Sequence, residues 1–313
     1  MSDFVQQQNS ICDFSNSDSW VILSPIEQSI KRKIEAVGTP LKDWDIQINY
    51  GIKTGCNEAF IIDTAKRDEI LEKCQSDEER VKTAELIRPI LRGRDIKRYG
   101  YEWANLWLIA TFPSRHYDIE EYPSVKQYLL SYGIERLEQT GKIHDVNGDK
   151  VKARKKTNNK WFETQDSISY WEDFNKPKIV YMEIQTDNPI EGYPFPCFAF
   201  DKNNAMVANT AYIMSSNTCN IKYILGVINS NLGRLLTKFY VTQLGERQFR
   251  MLAQYVCKFP IRRITDDEAD FIANIVDAII AGDNTAEERL NRAVCTWYNL
   301  SAEEIEYIEK LNN

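Results

Sequence analysis

Helix-start signals and strand patterns alternate along this chain, and that alternation limits the folds open to it. The stretch Ser24-Pro25-Ile26-Glu27 has the residues of a capping box and predicts a helix that ends at Gly38, and similar motifs begin at Ser76 and Ser301. Between them, Trp44 to Tyr50 alternates apolar and polar residues, which is typical of a half-buried strand. The pattern predicts an α/β (α+β) fold, with a twisted mixed sheet, peripheral helices and a C-terminal helical hairpin.

The remaining elements follow from the same signals. Further strands are expected at 59–62, 106–112, 178–184, 195–200 and 205–215. Further helices are expected at 122–137, 220–229, 232–240 and 266–281, with another beginning at Thr285. The stretch 140–160 is rich in Gly, Asn and Lys, so we expect a long loop there. The predicted organisation is an irregular lead-in at 1–20, a body at 21–263 and an acidic helical hairpin at 264–313.

The charges are unevenly distributed. The 313 residues contain 39 Lys and Arg against 46 Asp and Glu, a formal net charge of -7. Residues 264–313 hold 12 acidic and 3 basic residues, so they contribute 3 - 12 = -9 and leave -7 + 9 = +2 for the body. Within the body, 142–160 carries +5 and 92–99 carries +3. A local basic patch attracts phosphates whatever the total charge, although such runs are also common in idle solvated loops.

The sequence lacks the residues that several kinds of functional site require. The seven Cys form no Cys-x-x-Cys pair, which indicates reduced thiols in a cytosolic setting, and two His give little material for a metal site or a catalytic triad. The sequence has no apolar run near the roughly 20 residues that span a bilayer, and its first ten residues do not form a signal peptide. The stretch 51–55 lacks the spacing of a phosphate loop, and 187–190 lacks the second Pro and the aromatic residue of a methyltransferase loop. We expect no complete enzyme, no bound metal and no cofactor in this chain.

An ordered set of motifs carries a family resemblance. The string Gly51-Ile52-Lys53-Thr54-Gly55-Cys56-Asn57-Glu58-Ala59-Phe60-Ile61-Ile62 resembles the G-I-x-T-G-x-N-x-A-F-x-I signature of TaqI-like C-terminal specificity domains. Such domains occur in type IIG restriction-modification enzymes and related adenine methyltransferases. Further similar blocks follow in family order at 87–96, 161–163, 170–181, 225–230, 259–261 and 297–305. The resemblance covers roughly residues 20–313, and none of its blocks is a catalytic motif.

The resemblance implies a sequence-specific DNA-recognition module of a bacterial cytoplasmic type II restriction-modification enzyme. The implied partners are double-stranded DNA and a methyltransferase or nuclease domain, in cis or in trans, with no membrane. S-adenosylmethionine, and Mg for cleavage, would belong to that catalytic part. The chain begins about where such a catalytic domain would end, so we expect an excised fragment or one half of a split system. A protein-interaction or decoy module that binds a restriction-modification partner without touching DNA is the alternative.

Four groups of residues are candidates for DNA contact. Lys53 and Thr54 lie in a Gly-flanked turn, where a backbone can approach DNA closely. A basic run could contact phosphates or guanine edges, a lysine-rich group could clamp the backbone, and a polar group after Gly245 could read bases. These three groups are Arg92, Arg94, Lys97 and Arg98; Lys150, Lys152, Arg154, Lys155, Lys156 and Lys160; and Gln243, Arg247 and Gln248. The competing interpretations are a plain turn, surface ion pairs and a mobile loop. We expect Trp103, Trp107, Trp161 and Trp171 in the core and a structural role for Tyr193.

Overall fold

The computed structural model describes residues 23–187, 194–283 and 285–311. The predicted lead-in at 1–20 and Tyr193 lie outside the described residues, as does most of the stretch 187–190. The strands are β1 (Gly38–Pro40), β2 (Gln47–Tyr50), β3 (Ile61–Asp63), β4 (Ile87–Leu91), β5 (Leu106–Ile109), β6 (Ile143–Val146), β7 (Asp149–Lys152), β8 (Lys178–Met182), β9 (Ile184–Thr186), β10 (Phe198–Asp201), β11 (Met206–Val207), β12 (Ala211–Ser215), β13 (Gln248–Arg250) and β14 (Pro260–Arg262). The helices are α1 (Pro25–Val37), α2 (Asn57–Phe60), α3 (Thr64–Glu72), α4 (Asp77–Leu86), α5 (Pro123–Leu130), α6 (Ile134–Leu137), α7 (Ile221–Asn229), α8 (Asn231–Tyr240), α9 (Ala253–Val256), α10 (Asp266–Ile280), α11 (Ala286–Trp297) and α12 (Ala302–Lys310).

Helices begin where the capping residues predict. The Ser24 hydroxyl accepts from the Glu27 N–H, and the Glu27 carboxylate accepts from the Ser24 N–H. Thr265 and Ser301 form the same reciprocal boxes at the starts of α10 and α12, and the Ser76 hydroxyl caps α4. Each box satisfies backbone donors that have no partner inside the helix, so these starts are fixed locally.

Three sequence-based assignments are corrected. Residues 57–60 form a helical turn, so the strand predicted at 59–62 begins at Ile61. Gly133, with a φ of +83°, separates α5 from α6 within the helix predicted at 122–137. The predicted loop at 140–160 contains the β6–β7 hairpin, because Asn147 and Gly148 both have positive φ (55° and 92°) at its turn. An Asn-Gly pair favours two-residue hairpin turns of this kind.

An antiparallel sheet in the order β10-β8-β12-β2 lies at the centre of the molecule. Tyr181 of β8 lies opposite Phe198 of β10 and Tyr212 of β12, and Tyr212 lies opposite Tyr50 of β2. A second sheet has the order β11-β4-β5-β3, and its β11–β4 pair is parallel. The predicted mixed α/β architecture is therefore confirmed.

Both faces of the central sheet are buried, each against its own hydrophobic core. Ile179 and Tyr181 point into a core built with α1, α7, α8 and the C-terminal helices, which contribute Ile272 and Leu290. Val180 points the other way, into a core that the second sheet shares. The four tryptophans predicted as core residues are half-buried at the margin of this second core: Trp103, Trp107, Trp161 and Trp171. The acidic segment after residue 263 thus consists of three helices that share a core with the central sheet.

A buried ion pair lies at one end of the central sheet. The Lys178 ammonium pairs with Asp201 and also donates to the Phe174 carbonyl (2.8 Å). The Asp201 carboxylate accepts from the Tyr101 hydroxyl (2.8 Å) and the Ala205 N–H (3.0 Å). Burial lowers the pKa of Lys178, and Asp201 opposes that shift. Because several polar partners satisfy both groups, the pair fixes the chain segments at this end of the sheet.

Candidate nucleic-acid interface

The opposite end of the central sheet gathers three of the predicted segments. The Gly51 N–H donates to the Ala211 carbonyl (2.8 Å) at the start of β12. Next to it, Thr210 accepts from the Gly93 N–H through its hydroxyl (3.1 Å) and from the Glu183 N–H through its carbonyl (2.9 Å). Gly51 follows β2, Gly93 follows β4 and Glu183 leads into β9. The Gly51–Gly55 turn, the Arg92–Arg98 run and the β9–β13 ribbon therefore meet at one edge.

The buried side chain of Arg154, which follows the β6–β7 hairpin, links this hairpin to the same edge. Its guanidinium donates to the carbonyls of Leu137 (2.7 Å) and Thr54 (2.7 Å). It also donates to the carbonyls of Glu163 (2.8 Å) and Trp161 (2.6 Å). The residue is 2% exposed, and burial lowers its pKa to about 10. The prediction that Arg154 grips a DNA phosphate is corrected, because its donors are engaged by the backbone of the chain itself.

The Gly51–Gly55 turn presents Lys53 and hides Thr54. The Thr54 side chain is buried, donates to Asn57 Oδ1 (2.7 Å) and accepts from the Cys56 N–H (3.1 Å). The predicted DNA contact by the Thr54 hydroxyl is therefore corrected to a role in holding the turn. The Lys53 ammonium is exposed and lies 5.4 Å from the centre of the Tyr50 ring. Lys53 stays a proposed contact.

The basic hairpin surface comprises β6, β7 and the segment to residue 160. Its predicted lysines are all exposed, and within the described part of the chain none of them forms an ion pair: Lys150, Lys152, Lys155, Lys156 and Lys160. Lys142 shares this environment, although it was not among the predicted contacts. Unpaired surface ammonium groups are free to neutralise phosphates. This surface is the largest group of available positive charges among the predicted contacts.

The cations of the Arg92–Arg98 run are mostly engaged within the chain. The Arg92 guanidinium forms a bidentate ion pair with Asp95 (3.0 and 2.7 Å), and Arg98 pairs with Glu287 of α11 (2.7 Å). Burial would raise the pKa of Asp95, but the hydrogen bonds from Arg92 outweigh burial and lower it. Arg92 therefore closes its own turn and Arg98 holds the C-terminal helices, and the predicted contact of both with DNA stays a proposal.

Two members of that run remain available. Arg94 and Lys97 are exposed, and Lys97 lies only at the margin of an ion pair with Glu102 (3.7 Å). Exposed pairs at such distances contribute little free energy and exchange easily for another anion. Arg94 and Lys97 stay proposed contacts.

The β9–β13 ribbon and the turn before β13 carry the last of the four predicted groups. Gln243, Arg247 and Gln248 are exposed, and Gln248 lies opposite Thr186 in the ribbon. The Gln243 amide donates to the Glu246 carbonyl (2.6 Å), which shapes the connecting turn. A two-stranded ribbon fits the major groove of DNA, so a role in reading bases stays a proposal for these three residues.

Asp166 was missed by the sequence reasoning, because no local motif marks it. Its Oδ2 atom is buried and has no hydrogen-bond partner in the described residues. Burial raises the pKa of Asp166, while the positive charges of Lys53 and Lys155 oppose that shift. The carboxylate therefore lies where the turn and the basic hairpin surface come together, and it offsets part of their positive charge.

Replacing Asp166 with Asn is expected to tighten duplex DNA binding by roughly twofold to fivefold at neutral pH, because one negative charge beside Lys53 and Lys155 disappears. Because the pKa of Asp166 is raised in the folded chain, the free energy of unfolding falls as pH rises from the ordinary Asp pKa to the raised one. Urea unfolding between about pH 4 and 7 should show that loss in the native chain and a smaller loss in the Asp166→Asn variant. Weaker DNA binding by the variant would mean that the carboxylate itself contacts DNA.

Other kinds of site are not seen in the described residues. No helix there combines the length and the apolar character needed to cross a bilayer. In the same ranges, no three His, Cys, Asp or Glu side chains are grouped to hold a metal ion. The described residues thus form a two-core scaffold with basic turns and a polar ribbon at one end, and loops on a rigid sheet are a common place for binding sites.

The chain belongs to the TaqI-like C-terminal specificity domain family, whose model matches residues 88–261. That match covers more than half of the chain and ends within two residues of the predicted boundary at 263. The predicted division into 1–20, 21–263 and 264–313 itself stays a proposal.

Two curated relatives of this chain are type II methyltransferases. The chain is 23% identical over 292 residues to the type II methyltransferase M.PaeR7I of Pseudomonas aeruginosa, a match that covers 93% of this chain and 44% of the relative. It is 21% identical over 295 residues to the type II methyltransferase M.XhoI of Xanthomonas vasicola, covering 93% and 47%. The chain thus spans less than half the length of these curated relatives.

A solved structure shares the fold. The type IIL restriction-modification enzyme MmeI, solved in complex with DNA, superposes with a TM-score of 0.54 and 14% identity. The match covers 87% of this chain and 36% of MmeI. At this level of identity the likeness concerns the fold alone.

Proposed function

We propose that this chain is the sequence-specific DNA-recognition module of a bacterial, cytoplasmic type II restriction-modification enzyme. The observation that carries the proposal is the basic hairpin surface, whose lysines are exposed and form no ion pair with any described residue, in a member of a specificity-domain family. Such a surface positions duplex DNA through its phosphates, while the ribbon and the exposed members of the Arg92–Arg98 run contact base edges.

The catalytic chemistry is proposed to lie in another part of the enzyme. The named relatives are methyltransferases more than twice as long as the matched region. We infer that an adenine-N6 methyltransferase domain, in cis or in trans, uses S-adenosylmethionine, and that any cleavage needs Mg. This chain alone is proposed to have no catalytic activity. Its task is to hold the duplex while a target base leaves the stack, a step that costs a few kcal/mol.

Free lysines favour this proposal over the decoy alternative. A module that only binds a protein partner needs no patch of unpaired cations beside an exposed polar ribbon. Exposed cations are also plentiful outside this region, but many of them are paired: Arg292 with Glu288 (2.9 Å) and Arg289 with Asp283 (2.7 Å) are examples on and beside α11. The distinction gives a matched control for a binding experiment.

The double replacement Lys155→Glu and Lys156→Glu is expected to weaken duplex binding roughly tenfold or more at about 0.1 M salt, because two phosphate contacts become repulsive. The double replacement by Ala should lower the slope of log affinity against log salt by about 1.8, the value for two lost contacts. Fluorescence anisotropy with a labelled duplex of arbitrary sequence measures both effects, since phosphate contacts do not depend on sequence.

The control is Arg289→Glu with Arg292→Glu, which changes the net charge by the same amount on α11. These side chains are 56% and 78% exposed, so the variant is expected to fold and to bind DNA almost as the native chain does. If both double variants lose affinity equally, binding follows net charge and the basic hairpin surface is not the interface. No salt-dependent binding by the native chain would instead favour the decoy alternative.

A further inference from the structure

A cleft opens near the Lys178–Asp201 end of the central sheet, away from the candidate DNA interface. It has a volume of about 600 Å³, within the range of ordinary ligand pockets. Its walls come from β4, from the segment after β5, from Trp171 and Asn175 before β8 and from Asn203 and Asn204 after β10. The Asn203 N–H donates to Asp201 (2.9 Å), and the Phe174 carbonyl accepts from Lys178, so the buried ion pair supports the cleft from behind.

Two arginines in this cleft have no carboxylate partner in the described residues. Arg88 donates to the Asn175 side chain (2.8 Å) and to the Asn204 carbonyl (3.4 Å), which are neutral groups. Arg115 is exposed, and its guanidinium carbon lies 3.9 Å from the centre of the Trp171 ring. Lys82 and Glu85 are the other charged residues in the lining, which therefore carries 3 - 1 = +2. Lys82 pairs with Glu78 (3.0 Å) and Glu121 (3.4 Å), so Arg88 and Arg115 are the cations that a ligand can reach.

Part of the wall is aromatic, beside the aliphatic residues Ala84, Leu86, Ala110 and Met206. Phe112, Tyr117, Tyr122 and Trp171 line the cleft, and Tyr117 meets Tyr122 edge to face at 5.8 Å. The Arg115 guanidinium also lies 5.9 Å from the Tyr117 ring. A stacked guanidinium keeps its planar donors for a phosphate and offers its open face to a planar ring.

We propose that this cleft binds a nucleotide, with its phosphate paired to Arg88 and Arg115 and its base stacked on the Arg115–aromatic wall. The combination separates a nucleotide from simpler ligands: inorganic phosphate would use the two arginines alone, and a neutral aromatic compound would use the rings alone. The nucleotide is either a free nucleoside phosphate or a unit of single-stranded DNA, because both present the same phosphate and base. This inference does not depend on duplex binding at the basic hairpin surface.

Isothermal titration of the full chain with AMP, inorganic phosphate and a short single-stranded oligonucleotide tests the site. AMP or the oligonucleotide is expected to bind at least tenfold more tightly than phosphate, and whichever binds more tightly identifies the source of the nucleotide. Arg115→Ala should reduce that affinity at least tenfold. Arg115→Lys, which keeps the charge but loses the planar stack, should reduce nucleotide affinity to the level of phosphate.

Arg263→Ala is the matched control, because Arg263 is also exposed and stacks on a tryptophan, with its guanidinium carbon 4.6 Å from the Trp44 ring centre. It lies outside the cleft lining and should leave nucleotide affinity unchanged. Circular dichroism establishes that each variant is folded. Equal affinities for nucleotide and phosphate would overturn the proposal. It would also be overturned if Arg115→Ala and Arg263→Ala behaved alike, or if Lys155→Glu with Lys156→Glu removed nucleotide binding.

Discussion

Ending the chain at residue 263 is expected to leave an insoluble, unfolded protein. Helices α10 to α12 bury apolar side chains in the core of the central sheet, among them Ile272, Val276, Leu290, Val294 and Ile308. Burial of each such side chain stabilises the fold by about 1.5–3 kcal/mol, so these five together contribute about 7.5–15 kcal/mol, comparable with the roughly 5–15 kcal/mol that keep a typical domain folded. Soluble yield and circular dichroism of the truncated chain measure the result.

A matched pair of point variants tests the same packing without truncation. Ile272 is fully buried, and its Cγ2 atom lies 2.7 Å from where a side chain on Gly226 of α7 would begin. Ile272→Ala should therefore lower the free energy of unfolding by about 2–5 kcal/mol. The neighbouring Phe271 is 53% exposed, so Phe271→Ala should lower the free energy of unfolding much less. A truncated chain that folds and still binds duplex DNA would show that the acidic segment is dispensable.

Replacing Arg154 with Met is expected to lower the free energy of unfolding by about 4 kcal/mol or more. Four backbone carbonyls lose their guanidinium donor, and each buried polar group left without a partner costs about 1–3 kcal/mol. Arg154→Lys should recover only part of this loss, because one ammonium cannot reach carbonyls that a planar fork reaches from several directions. Urea unfolding measures both variants.

The adjacent Lys155 supplies the control. It is exposed and unpaired in the described chain, so Lys155→Met should leave stability nearly unchanged while weakening duplex binding. Arg154→Met is expected to show the opposite pattern, in which the main effect is a loss of stability and not a loss of duplex binding. If Arg154→Met kept native stability and lost only DNA affinity, its side chain would face DNA and the buried position of Arg154 would be wrong.

Local chemistry explains which parts of the fold could be predicted. The boxes at Ser24, Thr265 and Ser301 act within four residues, so the starts of α1, α10 and α12 are visible in the sequence. The β6–β7 hairpin was also visible, because Asn147-Gly148 between alternating residues is a strong hairpin signal, but the abundance of Gly and Lys there favoured a loop. The Gly133 break in the helix predicted at 122–137 is a second signal of this local kind.

Sequence indicated which segments carry the candidate site, but not which of their side chains are exposed. The family motifs and the +5 stretch indicated the segments that the structure places at one edge, because composition reveals where cations concentrate. Which cations stay free depends on partners far along the chain: Arg154 meets the Thr54 carbonyl across 100 residues, and Arg98 meets Glu287 across 189. Neither spacing leaves a local pattern, so sequence alone could not separate Arg154 from Lys155.

The two-sided burial of the central sheet has an evolutionary consequence. Strands β8, β10 and β12 are buried on both faces, so most side chains there can change only together with their packing partners. The turns and the ribbon at its edge are held partly by backbone hydrogen bonds, such as those that the Thr210 and Ala211 carbonyls accept, which many sequences can form. Substitutions at Arg94, Lys97 or Gln248 can therefore accumulate without disturbing the core. Under the proposed function, such substitutions change the recognised DNA sequence while the scaffold stays the same.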